Sequence, residues 1–399
     1  MPRQGAFWIG LTVAFVPSFW NGLASWFPAL PAIPLQWVRL MAWQKDGPLA
    51  GIGEIIFNLD LTVLGIVYLI PSELSFSTWC FWLLRLCLNV VAIALGATPR
   101  LPQNWSGSFP DPYHLGTGAV IALGCWNLWS ARPYLRRALL AVWGRPEEKG
   151  DAAEPIPYRW PGVGFAASCI WLVGFCVLSG CRLSFALGLV GVLVGSYVVF
   201  ARVQAETALE PVVGDAITWV TTPVGTRALR PREVITLMTM RWATFPVPDM
   251  VFPATVLNAF HAQKIADAAG LNARRLTTAL VGAFVFSLLV GGAWFLRETY
   301  RFGYFGTTTG TNPWWPSLQS RLEGQMITDA IREPRGPDAG AISHMVGGAA
   351  ICLLLGMMRL RFAGWPFHPV GFIVATGWGI PWLFFPFFLG WVTKVLMVR

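Results

Sequence analysis

The chain has 399 residues, 55% of them hydrophobic and only 12% charged, with a mean hydropathy of +0.55 and 22 tryptophans. An ordinary soluble domain carries about 25% charged residues, so this composition excludes a soluble globular protein and defines an integral membrane protein. The net charge of +9 reads as contact with a cytoplasmic face and anionic headgroups, not with nucleic acid, because no basic run is interleaved with aromatic residues.

Apolar runs long enough to cross a hydrocarbon core of roughly 30 Å as helices recur along the chain. They predict nine spans, at 6–27, 52–70, 75–97, 114–131, 162–180, 183–203, 274–296, 342–359 and 369–396. The alternating ten-residue segments of a membrane β-barrel are absent. The expected fold is therefore all-α, a polytopic transmembrane helix bundle of about nine spans, some broken by proline and glycine. The first span follows Arg3 with no small-residue cleavage site after it, so it reads as retained.

Lysine and arginine distribution predicts the orientation, because positive charge stays on the cytoplasmic side. The connection 131–161 carries six such residues and the segment 202–275 carries eight, so both are expected inside, together with the N-terminus. Connections 28–51 and 98–113, the turn at Arg182 and the loop 297–341 are expected outside. The implied location is a bacterial inner membrane.

Polar residues at membrane depth are the candidates for function, since ionised groups there must face protein, water or a partner. The run GIGEIIFNLDLTVLGIVYLIP holds Glu54, Asn58 and Asp60, and Asp60 is read either as a functional or ion-paired group or as a headgroup-level residue. Arg85 lies mid-span in WCFWLLRLCLNVV with Asn89 one turn later on the same face. It reads either as a buried pair with Asp60 or Glu73, or as a site for a substrate anion or coupling proton. In YLIPSELSFSTW, Pro71 ends one helix, Ser72 is expected to cap the next and Glu73 to complement its N-terminal dipole. Ser75, Ser77 and Thr78 are left over, since a cap needs only the first polar residue. Prolines 17, 71, 369, 381 and 386, with the glycines of the last apolar stretch, read either as kinks or as helix breaks of the kind that line transporter sites. The four histidines, His114, His261, His344 and His368, fall near predicted membrane boundaries; His368 joins Asp60, Glu73, Arg85 and Asn89 as a substrate or coupling-ion candidate.

No Walker loop, H-E-x-x-H, G-x-S-x-G or dinucleotide fingerprint is present. The seven cysteines form no C-x-x-C pair and read as apolar packing residues. No metal and no cofactor is expected. The segment 204–273 reads as cytoplasmic and helical. A basic amphipathic helix starts at Pro231, FPVPDM makes a rigid turn, and a further helix stops at Gly270 with Asn272 capping the next span. Arg227, Arg230, Arg232 and Lys264 are its docking candidates.

GAFWIGLTVAFVPSFWNGL with FPALPAIPL, YLIPSELSFSTWCFWLL, GTRALRPRE, AFHAQKIADAAGLNARRL, WPFHPVGF and FFLGWVTKVLMVR together resemble a family of large polytopic bacterial membrane proteins with paired domains of unknown function. The likeness covers nearly the whole chain. Some members are labelled peptide transporters, and QKIADAAGLNARRL is similar to the lysine-containing cytoplasmic helix of oligopeptide transporters, although here Lys264 precedes Asp267. The resemblance also implies a longer protein, with further spans before GAFWIG. The leading expectation is a secondary transporter of peptides or another small polar solute, embedded in the lipid bilayer. The alternatives are a membrane-embedded enzyme using groups such as His114 and Asp111, and a non-catalytic membrane subunit.

Overall fold

A computed structural model describes residues 5–27, 29–33, 38–40, 47–52, 55–96, 110–142, 156–157, 159–207, 216–240, 259, 262–264, 266–303, 314–377 and 379–398. Glu54, His261 and the FPVPDM turn lie outside these residues. Helices dominate, as the apolar runs predict. Among the described residues, six helices are long and apolar enough to cross a membrane: Ser72–Ala94, Arg159–Leu178, Leu183–Glu206, Ala273–Phe302, Ala339–Arg361 and Ile380–Met397. The nine-span expectation is not reproduced. The segment 52–70 is no single helix, and 369–396 is broken in two.

The chain divides into two compact units, one comprising Met1–Tyr113 with Leu354–Arg399 and the other His114–Leu353. In the first unit, α1 (Gly5–Trp26) is followed by a turn that its own side chains hold. The Asn21 amide donates to Ile33 O at 3.0 Å and accepts from Ile33 N–H at 2.8 Å, while Trp20 Nε1–H donates to Pro31 O at 2.9 Å. A short antiparallel ribbon, β1 (Val38–Leu40) with β2 (Ile55–Phe57), pairs Val38 with Phe57. Asn58 and Asp60 then prevent one continuous span. Asp60 is the N-cap of α2 (Leu61–Leu69), its carboxylate accepting from Thr62 N–H at 2.9 Å and Val63 N–H at 3.1 Å. Short polar side chains that bond nearby backbone favour such caps over helix interiors.

Pro71 separates α2 from α3 (Ser72–Ala94). The expected Ser72 cap does not form: Pro71 itself occupies the N-cap position, with no side-chain cap bond, and Ser72 is the first helical residue. The α2 carbonyl at Ile70 is satisfied by Lys394 Nζ at 2.7 Å, a cation at a helix C-terminus. That lysine belongs to α13 (Ile380–Val398), which follows the short α12 (Pro369–Ala375). Trp82 of α3 stacks on Phe384 of α13 with centroids 3.9 Å apart, and Phe57 meets Phe384 and Phe385 edge-on. A Cβ on Gly390 would stand 2.6 Å from Val67 Cγ1, so glycine sets the approach of α13 to α2.

The second unit contains α4 (Pro112–Val142) from His114 onward, α5 (Arg159–Leu178), α6 (Leu183–Thr207), α7 (Ala216–Val224), α8 (Pro231–Thr239), α9 (Ala273–Phe302), α10 (Trp314–Arg332) and α11 (Ala339–Arg361) up to Leu353. A Cβ on Gly118 would collide with Met345 O, and one on Gly348 with Leu115 O, so α4 and α11 cross in backbone contact. Small residues at such crossings are the usual route to helix packing in lipid. No residue of α9 is buried within the chain, as suits a helix whose apolar surface faces lipid.

The apolar face of α8 (Val234, Leu237, Met238) packs on Cys176, Cys181, Phe185 and Leu189 around the α5–α6 turn, with Met326, Ile327 and Ala330 of α10 alongside. Here the charge-count orientation needs correction. It put Arg182 and the 227–232 arginines on opposite sides of the membrane, yet Arg182 binds Glu233 directly through Nη2 at 2.6 Å. Arg227 N–H also donates to Arg335 O at 2.9 Å, in the loop expected outside. From Ala216 the chain therefore runs back along α6, where Trp219 of α7 meets Phe200, towards the end at which α6 began.

Candidate functional site

In the first unit, the start of α3, the last turn of α11 and the start of α12 bring together Glu73, Ser77, Arg359 and His368. The short polar residues left unexplained after Pro71 now have work. Ser75 and Thr78 donate back to the carbonyls of Ser72, at 3.0 Å, and Leu74, at 2.9 Å, and both are wholly buried. Such back-bonding hides a hydroxyl inside its own helix. It leaves a small surface for α12, whose Gly371 comes so near that a Cβ there would be 2.5 Å from Ser77 Cβ. Ser77 ties the loop down: its Oγ accepts from His368 N–H at 2.7 Å and donates to Pro366 O at 3.1 Å or Glu73 O at 2.5 Å.

His368 is buried, with 4% of its surface exposed, and is the N-cap of α12, its Nδ1 accepting from Val370 N–H at 3.1 Å. The tautomer of the ring decides which nitrogen donates. Nε2 faces Nη1 of Arg359, and Nη2 of the same guanidinium reaches Glu73 Oε2 at 3.5 Å. The Arg359 and Glu73 side chains are each nearly half exposed, at 45% and 47%. The cluster is thus a buried imidazole beside an accessible ion pair, at the ends of two candidate spans.

Two of the sequence candidates, Glu73 and His368, meet here. Arg85 does not join them, because it lies 12 residues beyond Glu73 on α3, about 18 Å along the axis; the Glu73–Arg85 pair is excluded on that ground. Asn89 donates from Nδ2 to Gly51 O at 2.8 Å, fastening the 48–52 turn to α3. Asp60 caps α2, as described above. Arg359 was missed: nothing local in LGMMRLR distinguishes it from any basic residue closing a helix.

The second unit holds a tighter ion pair. Glu233 has no exposed surface. Its Oε1 accepts from the Arg182 backbone N–H at 3.0 Å and Nε–H at 2.8 Å, and its Oε2 accepts from Arg182 Nη2 at 2.6 Å and Arg230 N–H at 2.9 Å. These donors, the Arg182 side chain above all, hold the carboxyl down at about 2. The last of the four bonds closes a capping box on α8. The docking candidates Arg227, Arg230, Arg232 and Lys264 are all exposed. His114 shares a hydrogen bond of 3.3 Å with Thr222 Oγ1, and Asp111 accepts from Tyr113 N–H at 3.0 Å. Among the described residues, no three histidine, cysteine or acidic side chains form a group able to hold a metal ion.

Long apolar helices, some of them interrupted, with charged side chains gathered at their ends, define a polytopic helical membrane protein. The model of a family described as a family of unknown function (DUF6785) matches residues 1–399, and the chain belongs to that family. No curated protein and no solved structure matches it.

Proposed function

We propose that the protein is a secondary transporter of a small polar solute, peptides included, in a bacterial inner membrane with its N-terminus inside. The observation that carries this reading is the meeting of Glu73, Arg359 and His368 beside α12, the short half of an interrupted helix. Discontinuous helices next to ionisable groups are how secondary transporters present backbone and charge to a solute. Glu73 and His368 are groups that exchange protons, and Arg359 is a fixed cation; together they suit coupling of a proton to a polar cargo. The test is uptake by proteoliposomes containing the full chain, driven by an imposed proton gradient, across a panel of di- and tripeptides, amino acids and small organic acids. Uptake is expected to fall at least tenfold in Arg359→Gln. Absence of uptake of every solute by folded wild-type protein would overturn the reading.

A further inference from the structure

Helix α5 ends in a Schellman turn. Gly180, at φ +91°, donates its N–H to Val177 O at 2.9 Å, and Cys181 N–H reaches back to Cys176 O at 3.1 Å. Such a turn sets the residue just past the glycine against one in the last helical turn, and the two side chains normally make an apolar contact. Here both are cysteines, both are free thiols, and both are buried in one cluster, with Cys176 fully covered and Cys181 6% exposed. A disulfide joins residues whose Cα atoms lie roughly 4.4–6.8 Å apart, the separation that a direct backbone hydrogen bond imposes.

Helix α8 closes over the pair. Val234, Leu237 and Met238 complete the same cluster, the Cys181 thiol donates to Thr236 Oγ1 at 3.3 Å, and a Cβ on Gly180 would stand 2.5 Å from Arg232 Nη1. The cover is fastened at the next residue along, because Arg182 supplies backbone and side-chain donors to Glu233. A thiol buried in apolar surroundings is inert, so reaction at this turn requires α8 to lift. Packing accounts for one buried cysteine; two thiols at the facing positions of one turn, under a latched cover, make a chemical pair.

We propose that Cys176 and Cys181 are a redox modification site, a dithiol that a small-molecule disulfide such as oxidised glutathione converts to an intramolecular disulfide when α8 lifts. The Cys181 thiolate attacks a glutathione sulfur and releases one glutathione thiolate; Cys176 then attacks the Cys181 sulfur of the mixed disulfide and releases the other. The pair gives up two electrons and two protons, and oxidised glutathione takes them to become two glutathione thiols. Joined to Cys176, Cys181 no longer donates to Thr236 Oγ1, so the oxidised turn seats α8 less firmly. The Arg182–Glu233 latch thus sets the rate of oxidation, and oxidation in turn loosens α8.

Full-length Cys169→Ala protein in nanodiscs is incubated with oxidised glutathione, denatured, alkylated with iodoacetamide and digested with trypsin, so that residues 160–182 form one peptide whose only cysteines are Cys176 and Cys181. That peptide is expected unalkylated and lighter by two hydrogens than the dithiol form, with double alkylation restored by dithiothreitol. Glu233→Gln should oxidise at least fivefold faster, and so should Leu237→Ala, which loosens the cover from its apolar side. Alkylation of buried Cys352 on α11, followed in the folded protein, should not change in either variant. Equal acceleration at Cys352 in both variants would trace the effect to general loss of structure and overturn the latch, as would oxidation of both variants at the unaltered rate. Two alkylated thiols in every sample, or a glutathione adduct on Cys181 that never closes onto Cys176, overturns the pair and leaves two packing cysteines.

Discussion

Replacing Glu233 by glutamine tests the joint that fastens α8 to the α5–α6 turn. The four donors converging on this carboxylate leave no face for an amide N–H, so the side chain introduced by Glu233→Gln would turn its donor towards Arg182 or the Arg230 N–H. Holding a carboxyl at about 2 instead of 4.5 corresponds to about 3 kcal/mol of linkage. Arg182 is 40% exposed, and solvent screening of that partner brings the figure to about 2 kcal/mol. This lies below the 3–5 kcal/mol typical of breaking a pair with both charges buried, because Arg182 is rehydrated when Glu233 is lost. The folded carboxyl is depressed, so the stabilisation is complete above the unfolded value near 4.5 and is lost as pH falls through about 2. Thermal unfolding of detergent-purified protein at pH 7 should show Glu233→Gln melting a few degrees below wild type. The gap should narrow between pH 4.5 and 2. Equal melting at pH 7, or a gap that persists unchanged to pH 2, would refute the pair as a source of stability.

Asp60→Ala should cost about 1 kcal/mol through the lost α2 cap, read as a lower melting temperature, whereas Asp60→Asn, which keeps an acceptor oxygen, should restore most of it. If Asp60 acts only as a cap, Asp60→Asn leaves proteoliposome uptake unchanged; loss of uptake in a variant with normal melting would make it a coupling group. In a background without native cysteines, Ser179→Cys and Arg227→Cys should react with a membrane-impermeant maleimide from the same side of the membrane, and Ala205→Cys, near the other end of α6, from the opposite side. Labelling of positions 179 and 227 from opposite sides would contradict the return of the chain along α6.

What could be read in advance was whatever a short stretch decides for itself. Gly270 stops its helix with φ +65°, Leu271 N–H reaches back to Ala266 O at 2.8 Å, and Asn272 caps α9 through the N–H groups of Arg274 and Arg275. Pro231 opens α8 as expected, since it needs no N–H there. The misses come from contacts far apart in sequence. α7 has nine residues, too few for a hydropathy window to recognise as part of a crossing, and only its packing on α6 reveals the return. Arg359 stands 286 positions from Glu73, and neither residue's neighbours announce the other. The ribbon formed by Ile55–Phe57 is apolar enough to pass for the start of a span until Asn58 and Asp60 are seen to interrupt it.

The corrected path of the chain changes what the arginines of GTRALRPRE mean. Counted as loop charges, Arg227, Arg230 and Arg232 signalled a cytoplasmic surface. In the folded chain they ring a joint: Gly225, at φ +76°, lies so close to the 335–337 backbone that a Cβ would stand 2.6 Å from Gly336 C. Thr226 Oγ1 accepts from Arg335 N–H at 2.9 Å and Thr222 O from Asp338 N–H at 3.2 Å. The end of α7 and the start of α11 are thereby bound to each other before any lipid or partner is considered, and Glu233 locks the same loop to Arg182. A positively charged stretch fixed by so many backbone contacts reports on packing first. The α5–α6 turn, the 225–240 segment and the Arg335 loop share one end of α6, and therefore one side of the membrane.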